Sequence, residues 1–265
     1  MQSDDFTVDA LESLGSRART AIAWKFLSQG MTYGVQIVTG IVLARLLMPK
    51  DFGVLGMATM VTGLVQIFQD LGMGQALVQR REVERRHVSA AFWGTLVMGA
   101  LLCGLAFLIA PYVGVFFKEP RMVPVLRTVA LTFVISPFGT IPYAMLQRKM
   151  DFRTPFYSGI AGALAYGAVG VTMALQGYGY WSLVGGLLSS TFASVLVLCV
   201  ITRHLPPLVP NFNGMSELLN FGVGATGVGI FSYIAQQADY FVVGRRLDSA
   251  ALGLYTRAFT LVHQP

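Results

Sequence analysis

Uncharged, continuously apolar runs occupy positions 26–44, 52–69, 88–117, 128–147, 154–202 and 218–238, with the charges clustered between them. A helix needs about 20 apolar residues to cross the hydrocarbon core of a bilayer, so each run is long enough, or nearly so, for one span. The 154–202 run is too long for one helix, and the turn-prone Gln176-Gly177-Tyr178-Gly179-Tyr180 divides it. The pattern predicts helices over 22–47, 53–78, 88–117, 122–146, 156–176, 181–202 and 218–244, seven spans and the start of an eighth. Strands of a membrane barrel would alternate and rarely exceed about 11 residues. The expected class is therefore all-α, a polytopic membrane helix bundle.

Composition agrees: 54% of the 265 residues are hydrophobic and 12% charged, too few charges to cover a water-facing surface. Lys and Arg set the orientation. With the N-terminus inside, cytoplasmic segments hold Arg17, Arg19, Lys25, Arg80, Arg81, Arg85, Arg86, Arg148, Lys149, Arg153 and Arg203. The opposite side holds Arg45, Lys50, Lys118, Arg121, Arg245 and Arg246, eleven against six, which predicts a cytoplasmic N-terminus. Residues before Ala23 lack a signal-peptide layout, since four acids precede the basic residues. They read as a tail with a short interfacial helix.

The chain also repeats itself. At an offset of 200, Tyr33–Ala58 matches Tyr233–Ala258 without gaps, with identities at Tyr33/Tyr233, Gln36/Gln236, Val42/Val242, Arg45/Arg245, Leu47/Leu247, Gly53/Gly253 and Ala58/Ala258. Span seven is then a second copy of span one, and the six helices between the two starts keep both copies in one orientation. Parallel repeats about an axis along the membrane normal follow. The expected organisation is a cytoplasmic tail and interfacial helix at 1–21 and a six-helix lobe at 22–205. A cytoplasmic inter-lobe loop at 206–217 leads to the start of a second, incomplete lobe at 218–265. A whole protein of at least twelve helices is implied.

Polar residues inside the spans mark the candidate cavity. Lys25, Gln29, Thr32, Gln36 and Thr39 follow steps of four and three and share one face of span one. Span two carries Thr59, Thr62, Gln66 and Asp70, and span seven carries Ser232, Gln236 and Asp239 in register with Thr32, Gln36 and Thr39. Each Thr or Gln alone is more simply an interhelical hydrogen-bond partner. An Asp is costlier, about 3 kcal/mol at a helix centre on insertion scales, and must face water, a partner or a ligand. Asp70 can pair with Lys25. Arg127, near the outer end of span four, either snorkels to the interface or holds an anionic headgroup.

Other features read as structural. Cys103 and Cys199 sit within spans with no metal spacing, where thiols are most often packing residues, and no functional role is assigned to them. His87, His204 and His263 are isolated, and His87 and His204 read as solvated loop residues. Gly30 and Gly34 form a GxxxG for close packing, Gly222, Gly224, Gly227 and Gly229 thin or bend span seven, and Pro137 and Pro142 can kink span four. No Walker loop, metal-ligand cluster or Ser/His/Asp arrangement occurs, which argues against an enzyme and an ATP-driven pump, and no cofactor is expected.

The stretch Ala44-Arg45-Leu46-Leu47-Met48-Pro49-Lys50-Asp51-Phe52-Gly53, with Phe68-Gln69-Asp70-Leu71-Gly72-Met73-Gly74, resembles the start of polysaccharide exporters of the multidrug/oligosaccharidyl-lipid/polysaccharide superfamily. Ala238-Asp239-Tyr240-Phe241-Val242-Val243-Gly244-Arg245-Arg246-Leu247 and Ala251-Leu252-Gly253-Leu254-Tyr255-Thr256-Arg257-Ala258 resemble its helix-seven signature. The resemblance implies a Wzx-type flippase with two six-helix lobes around a V-shaped cavity. Its cargo would be an undecaprenyl-pyrophosphate-linked oligosaccharide, moved to the periplasmic leaflet for O-antigen, capsule or exopolysaccharide assembly. Implied partners are the lipid-linked oligosaccharide, membrane lipids, a polysaccharide polymerase with chain-length machinery, and H+ or Na+ as drive; nucleic acid is not among them. Only Lys25 and Arg127 lie near such a cavity, so the pyrophosphate site falls in the second lobe or among Arg45, Arg245 and Arg257. The alternatives are a drug/cation antiporter of the same superfamily, a membrane glycosyltransferase or polymerase, which would carry a large external loop, and a non-transporting scaffold.

Overall fold

A computed structural model of the chain describes residues 29–70, 73–79, 83–149, 151, 153–203, 227, 231–236, 243 and 250–256. The tail, the inter-lobe loop, Lys25, His204, Asp239, Arg245, Arg257 and His263 lie outside them, and of Asp70 only the backbone is described. Among the described residues the regular elements are all helices. They are α1 (29–46), α2 (Pro49–Asp70), α3 (Met73–Gln79), α4 (Arg85–Phe116), α5 (Met122–Ala130), α6 (Thr132–Ile135), α7 (Pro137–Arg148), α8 (Arg153–Leu175) and α9 (Tyr180–Thr202). Helical segments at 231–236 and 250–256 follow. Four of these helices are long and apolar enough to cross a membrane, or five if the bent pair α5–α6 and α7 is one span. The fold is an all-α polytopic membrane bundle.

Span two begins at Pro49, whose fixed φ suits a first helical turn, and its described residues form α2 and α3. Span four bends by 45° between Met122–Ile135 and Pro137–Arg148. Pro137 has no N–H to continue the ladder, so the expected kink is present and has its ordinary cause. Below the bend, α3 packs on α7 and α4, and the Arg148 guanidinium donates to the last carbonyls of α3, Leu77 O at 3.3 Å and Val78 O at 3.4 Å. A cation at a helix C-terminus is favourable there.

His87 corrects the reading of a solvated loop histidine, for it is 1% exposed in the first turn of α4. Its Nδ1 accepts the Glu84 N–H at 3.2 Å, the part of a capping box usually played by Glu or Gln. The 32 residues of α4 make it about 48 Å long, more than a bilayer core requires, so its first turns extend to rest on α3.

The tightest packing joins α8 to α9 as an antiparallel pair. Ser158, Gly162, Tyr166 and Gly170 recur every four residues and meet Ser194, Ser190, Gly186 and Ser182. Ser158 and Ser194 each donate to the other's main-chain carbonyl, at 3.0 and 3.1 Å. Small residues let the backbones approach, and the hydroxyls find acceptors where lipid offers none. The expected GxxxG contact at Gly30 and Gly34 is absent among the described residues: no described atom lies within 4 Å of a Cβ built on either.

Residues 200 apart in sequence meet one another. A Cβ on Gly253 would strike the Pro49 carbonyl and stand 3.1 Å from the Gly53 nitrogen, and one on Gly56 would stand 3.2 Å from Thr256 Oγ1. Leu252 is fully buried among Met57, Met60, Phe117 and Met122. The 250–256 segment therefore docks on the first half of α2 through the same positions that the sequence repeat aligns.

Candidate polar face and proline-freed carbonyls

At 100° per residue, Thr59, Thr62, Gln66 and Asp70 fall in an arc of roughly 80° on α2. Pro49, Gly53, Gly56, Met57, Met60 and Gly63, which meet the second repeat, occupy the neighbouring arc of roughly 120°. The Tyr233 hydroxyl donates to Met60 O at 2.6 Å, over Gly63, where any Cβ would collide with the phenol. The polar arc thus borders the seam between the two repeats, as a cavity wall would.

Within that arc the threonine donors are already engaged. Thr59 Oγ1 donates to Leu55 O and Gly56 O, and Thr62 Oγ1 to Ala58 O at 3.0 Å. Such back-bonding leaves the hydroxyl lone pairs as acceptors. Gln66 is half-buried and its Nε2 donates to Gln69 Oε1 at 2.8 Å.

The face expected on α1 divides lengthwise. Thr39 is buried and, with Thr32, packs against glycine positions of α8, Gly167 and Gly159 respectively. Gln36 and Gln29 are exposed, and Gln29 Nε2 donates to the Tyr33 hydroxyl at 3.0 Å. Ser232 and Gln236 are exposed as well. The structure therefore sets Thr62, Gln66 and Tyr233 close to the seam, leaves Gln29, Gln36, Ser232 and Gln236 open, and seats Thr32 and Thr39 in a helix interface.

Arg127 lies elsewhere. Its guanidinium is 5.8 Å from the Phe107 ring centroid and its Nε donates to Phe107 O at 3.4 Å. Phe107 is roughly 120–140° round α4 from Leu102 and Val113, the side chains directed to α2 and the second repeat. Arg127 consequently stands on the flank of α4 away from the seam.

Phe107 is four residues before Pro111, and that relation recurs. A proline inside a helix leaves the carbonyl four residues earlier without its donor, an expensive state in hydrocarbon. Pro111 frees Phe107 O, which Arg127 caps. Pro137 frees Phe133 O, which Gln69 Nε2 caps. Pro142 frees Phe138 O, which Cys199 Sγ caps at 3.4 Å. In each case a side chain from a different span supplies the missing donor. Sequence reasoning passed over Gln69 and assigned Cys199 no functional role; the available signal was the carbonyl four residues before each intramembrane proline.

The hairpin end carries its own charge cluster. Asp51 is buried and its Oδ2 accepts the Met48 N–H at 3.1 Å. Nearby, Arg121 donates through Nε and Nη2 to the Glu119 carboxylate, both at 2.8 Å, and those bonds, aided by Asp51, raise the guanidinium pKa further above its ordinary value. Among the described residues no group of three or more His, Cys, Asp or Glu could hold a metal ion.

The family model for a polysaccharide biosynthesis protein matches residues 42–265. The chain belongs to that family. It is 27% identical over 237 residues to the succinoglycan biosynthesis transport protein ExoT of Rhizobium meliloti, covering 89% of this chain and 48% of that protein. It is 23% identical over 259 residues to the lipopolysaccharide biosynthesis protein WzxC of Escherichia coli, covering 96% and 52%. The teichuronic acid biosynthesis protein TuaB of Bacillus subtilis is 26% identical over 257 residues, covering 96% and 53%. The chain spans about half the length of these curated relatives. No solved structure matches it.

Proposed function

We propose that this chain supplies the first six-helix lobe and the opening of the second in a flippase. The cargo is an undecaprenyl-pyrophosphate-linked oligosaccharide carried from the cytoplasmic to the periplasmic leaflet of a bacterial inner membrane. The observation that carries this reading is the polar arc of α2 bordering the contact between repeat-related segments. Gly53 lies against Gly253 and Gly56 against Thr256, which supports a two-fold axis passing between the two repeats at this point. A wall of acceptors beside such an axis suits a hydroxyl-rich glycan, and the prenyl tail stays in lipid between the lobes. Similarity to proteins named for succinoglycan, lipopolysaccharide and teichuronic acid biosynthesis supports a glycan cargo.

The orientation follows from charge. Arg85, Arg86, Arg148, Lys149 and Arg153 gather where α4 begins and where α7 passes to α8, and the positive-inside rule places that end in the cytoplasm. The Gly53/Gly253 contact then lies toward the periplasm, and the polar arc opens inward. Motion proceeds by alternating access driven by an ion gradient, without catalysis. Gln36, Gln66, Asp70, Ser232, Gln236 and Asp239 meet the sugars. In producing cells, Gln36→Ala, Asp70→Ala and Asp239→Ala should each lower polymer export with the protein still present in the membrane; wild-type export from all three would sink the assignment.

A further inference from the structure

Gln69 is fully buried in the lobe although it belongs to the helix that carries the polar arc. Its side chain is a three-way junction. Nε2 donates to Phe133 O at the bend of span four, and Oε1 accepts from Gln66 Nε2 at 2.8 Å and from Ser136 Oγ at 3.3 Å. Gly99 of α4 makes room for it, since a Cβ there would meet the Phe133 carbonyl and stand 2.6 Å from Gln69 Nε2. If Phe133 O needed only a donor, a hydroxyl nearer the bend would serve; a glutamine also presents an acceptor to the polar arc.

We propose that Gln69 is a positioning residue that holds Gln66 in the polar arc of α2 and ties it to the bend of span four through the Phe133 carbonyl. The amide orients Gln66 so that its Oε1 remains for a cargo hydroxyl while one N–H is committed inward. A cargo group that draws Gln66 away removes one of the two donors to Gln69 Oε1. Occupancy of the arc is thereby felt at the bend, where Pro137 has removed the helical bond to Phe133 O and left that carbonyl tied to Gln69. This rests on the reading that the polar arc meets cargo.

The test uses chromosomally encoded variants of the whole protein in producing cells, with export and membrane level both measured. Gln69→Leu strands Phe133 O and is expected to lower membrane level and export together. Adding Pro137→Ala restores a main-chain donor to Phe133 O and should return the level to wild type. Export by this pair should stay at about one tenth or less, matching Gln66→Leu, and adding Gln66→Leu to the pair should lower it no further, as expected when two residues act as one unit.

Recovery of export along with the level would overturn the proposal, leaving Gln69 only a carbonyl cap. So would a further drop in the triple variant. Gln69→Glu covers the case in which the Leu variants do not fold. A buried carboxyl is held neutral and then reproduces both the donor and the acceptor. It should export within about twofold of wild type, and loss of export at normal membrane level would also overturn the positioning role. Wild-type export from Gln66→Leu, together with Gln36→Ala, Asp70→Ala and Asp239→Ala, would instead remove the cavity reading itself.

Discussion

The side-chain amide of Gln69 in α2 donates to the main-chain carbonyl of Phe133, the acceptor that Pro137 leaves without its helical partner. The same relation joins Arg127 to Phe107 before Pro111 and Cys199 to Phe138 before Pro142. The three caps should differ in worth. Gln69 is fully buried, so Gln69→Leu should lower stability in detergent by about 1–3 kcal/mol, the cost of an unsatisfied buried carbonyl. Arg127→Met should cost about 0.6 kcal/mol, the average for interhelical hydrogen bonds in membranes. Cys199→Ala should cost less than about 1 kcal/mol because a thiol is a weak donor, and Cys199→Ser should be neutral. Thermal unfolding of the purified variants checks the order.

The α8–α9 interface leaves no space for a side chain at Gly162, where a Cβ would collide with Ser194 Oγ and stand 3.2 Å from Ser190 O. Gly162→Leu should therefore destabilise by at least about 1–3 kcal/mol and reduce accumulation in the membrane. Gly104→Leu is the control: no described atom lies within 4 Å of a Cβ there, and the level should match wild type.

His87 closes the first turn of α4 by accepting the Glu84 N–H. His87→Ala should lower unfolding free energy by roughly 1 kcal/mol, the usual worth of a helix cap. His87→Gln supplies an acceptor of the right reach and should lose little. Equal losses from both would show that burial, and not capping, fixes the residue.

The span pattern could be read directly from the chain. Runs of apolar residues located α4, α8 and α9 within a few positions, because a bilayer imposes a length that no tertiary detail overrides. The repeat at an offset of 200 was equally legible, and its Gly53/Gly253 and Gly56/Thr256 pairs sit against each other. What periodicity could not show was where freed backbone groups find partners. Gln69, Arg127 and Cys199 act on carbonyls 64, 20 and 61 residues away, and such pairings depend on which spans become neighbours. The same limit applies to the α1 stripe. Spacing placed Gln29, Thr32, Gln36 and Thr39 on one face, but only the position of α8 divides the threonines from the glutamines.

The contact between repeats yields a cross-linking prediction. With Gly56→Cys and Thr256→Cys the two sulfurs should be close enough to form a disulfide, which needs Cβ atoms about 3.5–4.5 Å apart. Oxidation should join the two positions in membranes. If the lobes must part at this end, the cross-linked protein should not export and reduction should restore it. Failure to cross-link would contradict the contact, and full export when cross-linked would contradict alternation at this seam.

The most direct measurement of the flippase reading is the leaflet in which the cargo waits. Cells lacking the gene, with the outer membrane permeabilised, should accumulate lipid-linked oligosaccharide that a membrane-impermeant oxidant cannot reach from the periplasm but does reach in inverted inner-membrane vesicles. Accumulation on the periplasmic leaflet, or no accumulation while polymer is still lost, would contradict it.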